Sequence, residues 1–106
     1  MAILFYDHLI IKTEILSIIS GSEAEENQKG KVLQLVDDIY FQSITKYILS
    51  SLDEKHHKTF LIKVHEKPYD PDIIVYLRDH LGDDVEDQIK KEAERITQKI
   101  LKDLSE

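Results

Sequence analysis

Apolar residues recur along most of this chain at the spacing of amphipathic helices, and the pattern divides the chain into helical segments. The first segment covers residues 3–19 and stops at Ser20-Gly21, where glycine favours the left-handed conformation that closes many helices. β-Branched and aromatic residues also cluster over residues 3–11, so a strand remains the alternative there. The pattern predicts an all-α protein, a compact bundle of about five helices, and leaves this first segment open between helix and strand.

Polar helix-start signals precede the later segments. A serine or aspartate followed three residues later by glutamate predicts a capping box, in which both side chains bond free backbone N–H groups. Three such pairs occur in the chain: Ser22 with Glu25, Ser51 with Glu54, and Asp83 with Glu86. Asp70-Pro71 predicts a fourth start, with the proline at the first helical position. The expected helices therefore begin at 22, at 51 (ending at 67), at 70 (ending at Leu81-Gly82) and at 83.

The second segment contains Gly30, which costs about 1 kcal/mol inside a helix. The helix either continues through this glycine or restarts at Lys31, and the pattern does not decide between the two. Beyond Gly30, apolar residues recur at helical spacing and exceed one face. The main row consists of Leu33, Val36, Tyr40, Ile44 and Tyr47. We therefore predict that residues 31–50 form the central, most buried helix.

The last segment carries one apolar stripe: Val85, Ile89, Ala93, Ile96, Ile100 and Leu104. Its roughly 21 residues span roughly 32 Å, and an unbroken helix over residues 22–51 would span roughly 45 Å. A compact domain of this size has a diameter of roughly 33 Å, so at least one helix should protrude. We therefore expect Val85, Ile89, Ile96, Ile100 and Leu104 to form an interaction surface, with a symmetric homodimer as its use.

The chain has 106 residues, of which 42% are hydrophobic and 33% charged. This predicts a single helical domain over residues 1–106. The sequence has no cysteine, which excludes disulfides and thiolate metal sites and is compatible with a reducing compartment, so we expect a cytoplasmic protein. A net charge of −7 disfavours binding to nucleic acid or anionic membranes and favours basic partners.

The apolar N-terminus carries Asp7 and His8 and lacks both a basic region and a small-residue cleavage site, so we do not expect a signal peptide. Its longest apolar runs, residues 3–6 and 9–11, are far shorter than the roughly 20 residues that cross a bilayer. We therefore expect no membrane partner.

Five histidines are the main candidates for a chemical site. Asp53, Glu54, His56 and His57 place four metal-ligand types close together, but the Glu-x-x-His pair lacks the second copy that a di-iron bundle needs. Thr59 lies near His56 without a nucleophile elbow or a glycine-rich loop. We therefore expect no metal, no cofactor and no catalytic activity.

Three stretches resemble a family of small all-helical domains of unknown function associated with candidate-phylum bacteria. They are Ser51-Leu52-Asp53-Glu54, the run from Asp70 to Leu77, and the run from Val85 to Glu92. The resemblance covers about four fifths of the chain, from Ser22 to Leu104, and implies a helical fold without implying an activity.

We therefore expect a small helical protein-interaction or assembly module that binds a protein partner or a second copy of itself. The alternative is an acidic inhibitor or mimic that occupies a basic surface of another protein, for which the acidic run at residues 83–87 is a candidate. A weaker alternative is a metal or small-molecule binder, built on His56 and His57 or on an aromatic pocket of Tyr40, Phe41 and Tyr47.

Overall fold

Five α-helices make up the computed structural model, which describes residues 4–23 and 25–105. The helices are α1 (Thr13–Ser20), α2 (Glu26–Ser51), α3 (His57–Glu66), α4 (Asp72–Leu81) and α5 (Val85–Ser105). Two short 3₁₀ turns, Asp7–Leu9 and Glu54–His56, precede α1 and α3. None of the residues described belongs to a strand, so the predicted all-α bundle of about five helices is confirmed.

The long helices α2 and α5 pack antiparallel and form the axis of the fold. The Tyr40 and Thr97 hydroxyls share a hydrogen bond, and Tyr47 Oη donates to Gln88 Oε1 at 3.1 Å. Helix α1 packs on both long helices, α4 packs on α5, and α3 packs on α4. The molecule measures 46 × 25 × 20 Å. Ile44 is fully buried, as predicted, but α2 is not the most buried helix, because four of its 26 residues are buried against three of ten in α4 and Leu35 is 59% exposed.

The N-terminal segment is not one helix over residues 3–19. Position 3 lies outside the described residues, residues 7–9 form the 3₁₀ turn, Ile10 is extended, and α1 begins only at Thr13. Asp7 Oδ2 accepts the Leu4 N–H at 2.8 Å, and the Phe5 N–H donates to the Pro68 carbonyl at 2.8 Å. These bonds fix a turn, so the helix prediction is wrong before Thr13 and the strand alternative is wrong for residues 4–11.

The predicted capping boxes do not form. Ser22 Oγ donates backwards to the Ile19 carbonyl at 2.8 Å, and α2 begins at Glu26. Ser51 ends α2 instead of starting α3, because its Oγ donates to the Tyr47 carbonyl at 3.1 Å.

The third pair fails for a different reason, since the Glu86 carboxylate binds Arg78 and His8 instead of reaching back to the backbone of residue 83. A helix nevertheless begins at Val85, two residues after the predicted start.

The other helix boundaries agree more closely with the pattern. Asp70 Oδ1 accepts the Asp72 N–H at 2.9 Å, so the predicted side-chain bond at the start of α4 forms, but Pro71 lies one position before the first helical residue and not at it. Helix α4 ends at Leu81, and Gly82 follows with a φ of 108°. Gly21 has a φ of −82°, so the left-handed conformation expected there is wrong. Helix α2 continues through Gly30 and does not restart at Lys31.

Candidate functional site

The apolar stripe of α5 lies in the core and not on a free surface. Val85, Ile89, Ile96 and Ile100 are at most 6% exposed, and Leu104 is partly buried against the same core. Helices α1, α2 and α4 all pack on α5, so one chain covers the stripe that we expected to bind a partner. The predicted interaction surface on α5 is therefore wrong for Val85, Ile89, Ile96 and Ile100. A docking surface of the folded monomer must lie on other residues.

Nine large apolar side chains remain exposed in the described part of the chain: Ile11, Leu16, Ile18, Leu35, Ile39, Leu61, Ile62, Tyr69 and Val75. Leu61 and Ile62 differ from most of them because they are neighbours at the centre of one helix face, each 45% exposed. Phe60 and Val64 anchor the opposite side of α3 in the core.

We define the α3 face as the outward residues His57, Lys58, Leu61, Ile62, His65 and Glu66, which line one shallow depression together with Glu54. Two rows at i, i+4 spacing make up this face, one of residues 57, 61 and 65 and the other of residues 58, 62 and 66. Both rows have an apolar side chain at the middle and polar or charged side chains at the ends. An apolar centre with a polar rim is the usual composition of a protein–protein interface.

The histidines that suggested a metal site are separated. The His56 ring lies 4.1 Å from the His80 ring, centroid to centroid, while His57 Nε2 lies 3.0 Å from the Leu52 carbonyl oxygen. The two neighbouring histidines therefore have different partners. Within residues 4–23 and 25–105, no group of three or more His, Cys, Asp or Glu side chains could hold a metal ion.

The predicted aromatic pocket forms only in part. Tyr40 and Phe41 line a cleft of about 340 Å³, which we call the N-terminal cleft, but Tyr47 lies outside it and bonds Gln88. The remaining lining residues of the cleft are Leu4, Tyr6, Asp7, Lys12, Gln34, Asp37 and Asp38. The sequence did not indicate Tyr6, Asp7, Asp37 or Asp38 as site residues, because no local pattern shows that Asp7 lies beside α2.

Two tyrosines of the cleft have perturbed acidities. Burial raises the pKa of Tyr6 far above its usual value, and the nearby carboxylates of Asp7 and Asp37 raise it further. Burial also raises the pKa of Tyr40, while the hydrogen bond with Thr97 and the charge of Lys12 act in the opposite direction. Both hydroxyls therefore stay protonated at neutral pH.

Several carboxylates have cationic partners within the chain, and within the acidic run at residues 83–87 Glu86 is one of them. Lys12 Nζ lies 2.8 Å from Asp37 Oδ1, and Arg95 pairs with Glu92. The hydrogen bond with His8, followed by the bond with Arg78, lowers the pKa of Glu86. In the acidic run, Asp84 Oδ2 accepts the Gln88 side-chain N–H at 2.8 Å.

No helix in the described residues has both the length and the apolar character that a membrane span requires. Comparisons with protein-family models, with curated proteins and with solved structures found no match. The fold and the exposed surfaces define the chain as a small helical-bundle protein. Its resemblance to the domains of candidate-phylum bacteria stays a prediction.

Proposed function

We propose that this protein is a cytoplasmic assembly module, not an enzyme, and that it forms a homodimer through the α3 face. The observation that carries this proposal is the pair Leu61 and Ile62, which sit half-exposed at the centre of a helix whose other side is already packed in the core. An amphipathic surface helix normally presents polar residues outward, so two adjacent large apolar side chains there indicate a contact surface.

The charges of the α3 face suit a second copy of the same chain. Lys58 and Glu66 lie four residues before and four residues after Ile62 on one row of the helix. A two-fold axis that passes near Ile62 and pairs two α3 helices antiparallel places Lys58 opposite Glu66 of the partner subunit, and the reverse pair forms by symmetry. The face is therefore complementary to itself in charge.

The dimer is expected to be weak. A ten-residue helix is about 15 Å long, so one helix pair covers less than the roughly 1,200 Å² of a stable interface. We therefore expect a dissociation constant in the range of about 10–100 µM, and the mass must be followed across that range.

Light scattering coupled to size-exclusion chromatography tests the proposal. Ile62→Asp should give a monomer at every concentration with an unchanged helical circular dichroism spectrum. The matched control is Leu35→Asp, which places the same charge at an exposed apolar position of α2, 59% exposed, and should leave the dimer intact.

A charge exchange makes the test specific for the two-fold pairing. Lys58→Glu and Glu66→Lys should each weaken the dimer, because each places like charges opposite one another, and the double variant should restore it. A monomeric wild-type protein at about 100 µM, which lies at the weak end of the expected range, contradicts the homodimer. Failure of the double variant to restore the dimer contradicts the antiparallel geometry.

The acidic-mimic alternative has less support than the assembly module. A mimic needs a one-sided array of free carboxylates, whereas Asp37, Glu86 and Glu92 are paired with cations of the same chain.

A further inference from the structure

The N-terminal cleft lies between the first 3₁₀ turn and the middle of α2, away from the α3 face. Its lining includes three carboxylates, those of Asp7, Asp37 and Asp38, and one ammonium group, that of Lys12. The cleft therefore carries a net charge of −2 within a lining that also contains aromatic rings. Such a site favours a cation over an anion or a neutral molecule.

Tyr6 supplies a second, independent observation about this cleft. Its side chain is 1% exposed, and its hydroxyl has no hydrogen-bond partner in the described part of the chain. Leaving a buried hydroxyl unpaired costs about 1–3 kcal/mol, so buried polar groups are rarely left in this state. Tyr6 itself lines the cleft, together with Asp7 and Asp37.

Each carboxylate of the cleft is engaged through one oxygen atom. Asp7 Oδ2 accepts the Leu4 N–H at 2.8 Å, and Asp38 Oδ1 accepts the Gln34 side-chain N–H at 3.0 Å. Asp37 Oδ1 pairs with Lys12. Among the described residues, no hydrogen bond or ion pair involves the second oxygen of these carboxylates. These carboxylates come from two elements, since Asp7 belongs to the 3₁₀ turn and the other two to α2.

The aromatic wall of the cleft already accommodates an ammonium group. Lys12 Nζ lies 5.7 Å from the centre of the Tyr40 ring, within the range of a cation–π contact, while it pairs with Asp37. Phe41 adds an apolar surface beside it. An alkyl ammonium ligand would find the same combination of carboxylate and aromatic ring.

We propose that the N-terminal cleft binds a small aliphatic diamine. The two positive charges of the ligand match the net charge of the lining, with one ammonium group donating to Asp7 and the Tyr6 hydroxyl and the other to Asp38. The alkyl chain packs on Phe41. This inference is independent of the assembly proposed above, because no residue of the cleft belongs to α3.

Calorimetry and thermal unfolding with 1,4-diaminobutane test the proposal. The diamine should bind with a stoichiometry of one per chain and raise the melting temperature. 1-Butylamine should bind at least tenfold more weakly, because it loses one charge-assisted contact, and the neutral 1,4-butanediol should not bind. Equal effects of the diamine and the diol would overturn the proposal, as would a diamine that does not bind.

Two matched pairs of variants locate the site. Asp38→Asn should weaken diamine binding about tenfold, since it removes one carboxylate charge and keeps an amide of the same shape. Asp79→Asn makes the same change at an exposed position of α4 and should leave binding unchanged. Equal losses in both variants would show a general effect of net charge and would overturn the assignment to the cleft.

Tyr6→Phe gives the sharpest result, because it should act in opposite directions on stability and binding. Without ligand it should raise the melting temperature, since it removes an unpaired buried hydroxyl, yet it should weaken diamine binding. Tyr47→Phe removes a hydroxyl outside the cleft and should not change binding. A lower melting temperature for Tyr6→Phe would show that the hydroxyl is already satisfied and would overturn the argument.

Discussion

Alanine at Gly30 and alanine at Gly82 should change the stability of the protein in opposite directions. Gly30 lies inside α2, where an added Cβ meets no heavy atom within 4 Å apart from the local backbone of the helix itself and the two neighbouring residues. Glycine in a helix interior costs about 0.8–1 kcal/mol relative to alanine. Because Gly30 is only the fifth residue of α2, we expect Gly30→Ala to stabilise the fold by about 0.5–1 kcal/mol, which raises the melting temperature by about 2–6 °C.

Gly82 ends α4 with a φ of 108°, a conformation that residues with a Cβ rarely adopt. The added Cβ would also lie 3.3 Å from Asp84 Oδ1, which a flexible side chain can relieve. The backbone cost therefore dominates, and Gly82→Ala should destabilise the fold by about 1–3 kcal/mol.

Urea unfolding followed by circular dichroism at 222 nm measures both changes against the wild type, provided that the m-value stays constant. A neutral or destabilising Gly30→Ala would mean that α2 is broken at this glycine. A neutral Gly82→Ala would mean that α4 continues into the next segment without the positive φ. Either result would refute the geometry from which the signs were derived.

Two further predictions concern the core and the ion pairs. Ile44→Ala should destabilise the fold by about 2–5 kcal/mol in the same urea assay, because Ile44 is fully buried, and a loss below about 1 kcal/mol would place it outside the core. Glu86→Gln should cost about 0.2–1 kcal/mol at pH 7. Since its partners lower the pKa of Glu86, this contribution is present above the ordinary value of 4.5 and is lost as the pH falls through the folded value. The variant and the wild type should therefore converge below that pH, and a difference that persists there would contradict the pairing.

Helix existence follows from the sequence wherever periodic burial and local backbone chemistry agree. In α5 the apolar residues recur at steps of three and four, and those from Val85 to Ile100 are all buried. Asp70 is a second example, because its cap bond connects residues only two positions apart. Helix α2 is a third example. It continues through Gly30 because the free-energy cost of one glycine is small compared with the stabilisation from burying Ile44 and its neighbours.

Helix boundaries are less predictable because a serine side chain can bond either an N–H group of the helix that follows or a carbonyl of the residues that precede it. Ser22 and Ser51 were expected to accept from the next helix, but both donate to a carbonyl of the preceding residues. The N-terminal turn depends on the bond between Phe5 and Pro68, which are 63 residues apart, and no local pattern contains that contact. The cleft beside this turn could not be predicted for the same reason.

The exposed residues of α3 could not be predicted from the sequence for a different reason. Residues 60–62 form an apolar run, and the run alone does not show which of its members reach the core. Phe60 does so together with Val64, one turn later, and this leaves Leu61 and Ile62 outside. Once the inner pair is known, the outer pair follows from the helical period.

The helix lengths predicted a molecule longer than a compact domain of its size. The homodimer through the end of α5, which was inferred from that length, stays a prediction. Helix α2 is about 39 Å long, and the molecule accommodates it by extending to 46 Å. Helix α1 covers the N-terminal half of α2, with Lys12 paired to Asp37 and Lys29 Nζ donating to the Ser20 carbonyl at 3.1 Å. One chain therefore covers most of the α5 stripe with its own helices. This separates two substitutions that the sequence alone would treat alike, since Ile100→Asp should unfold the chain, whereas Ile62→Asp should release a folded monomer.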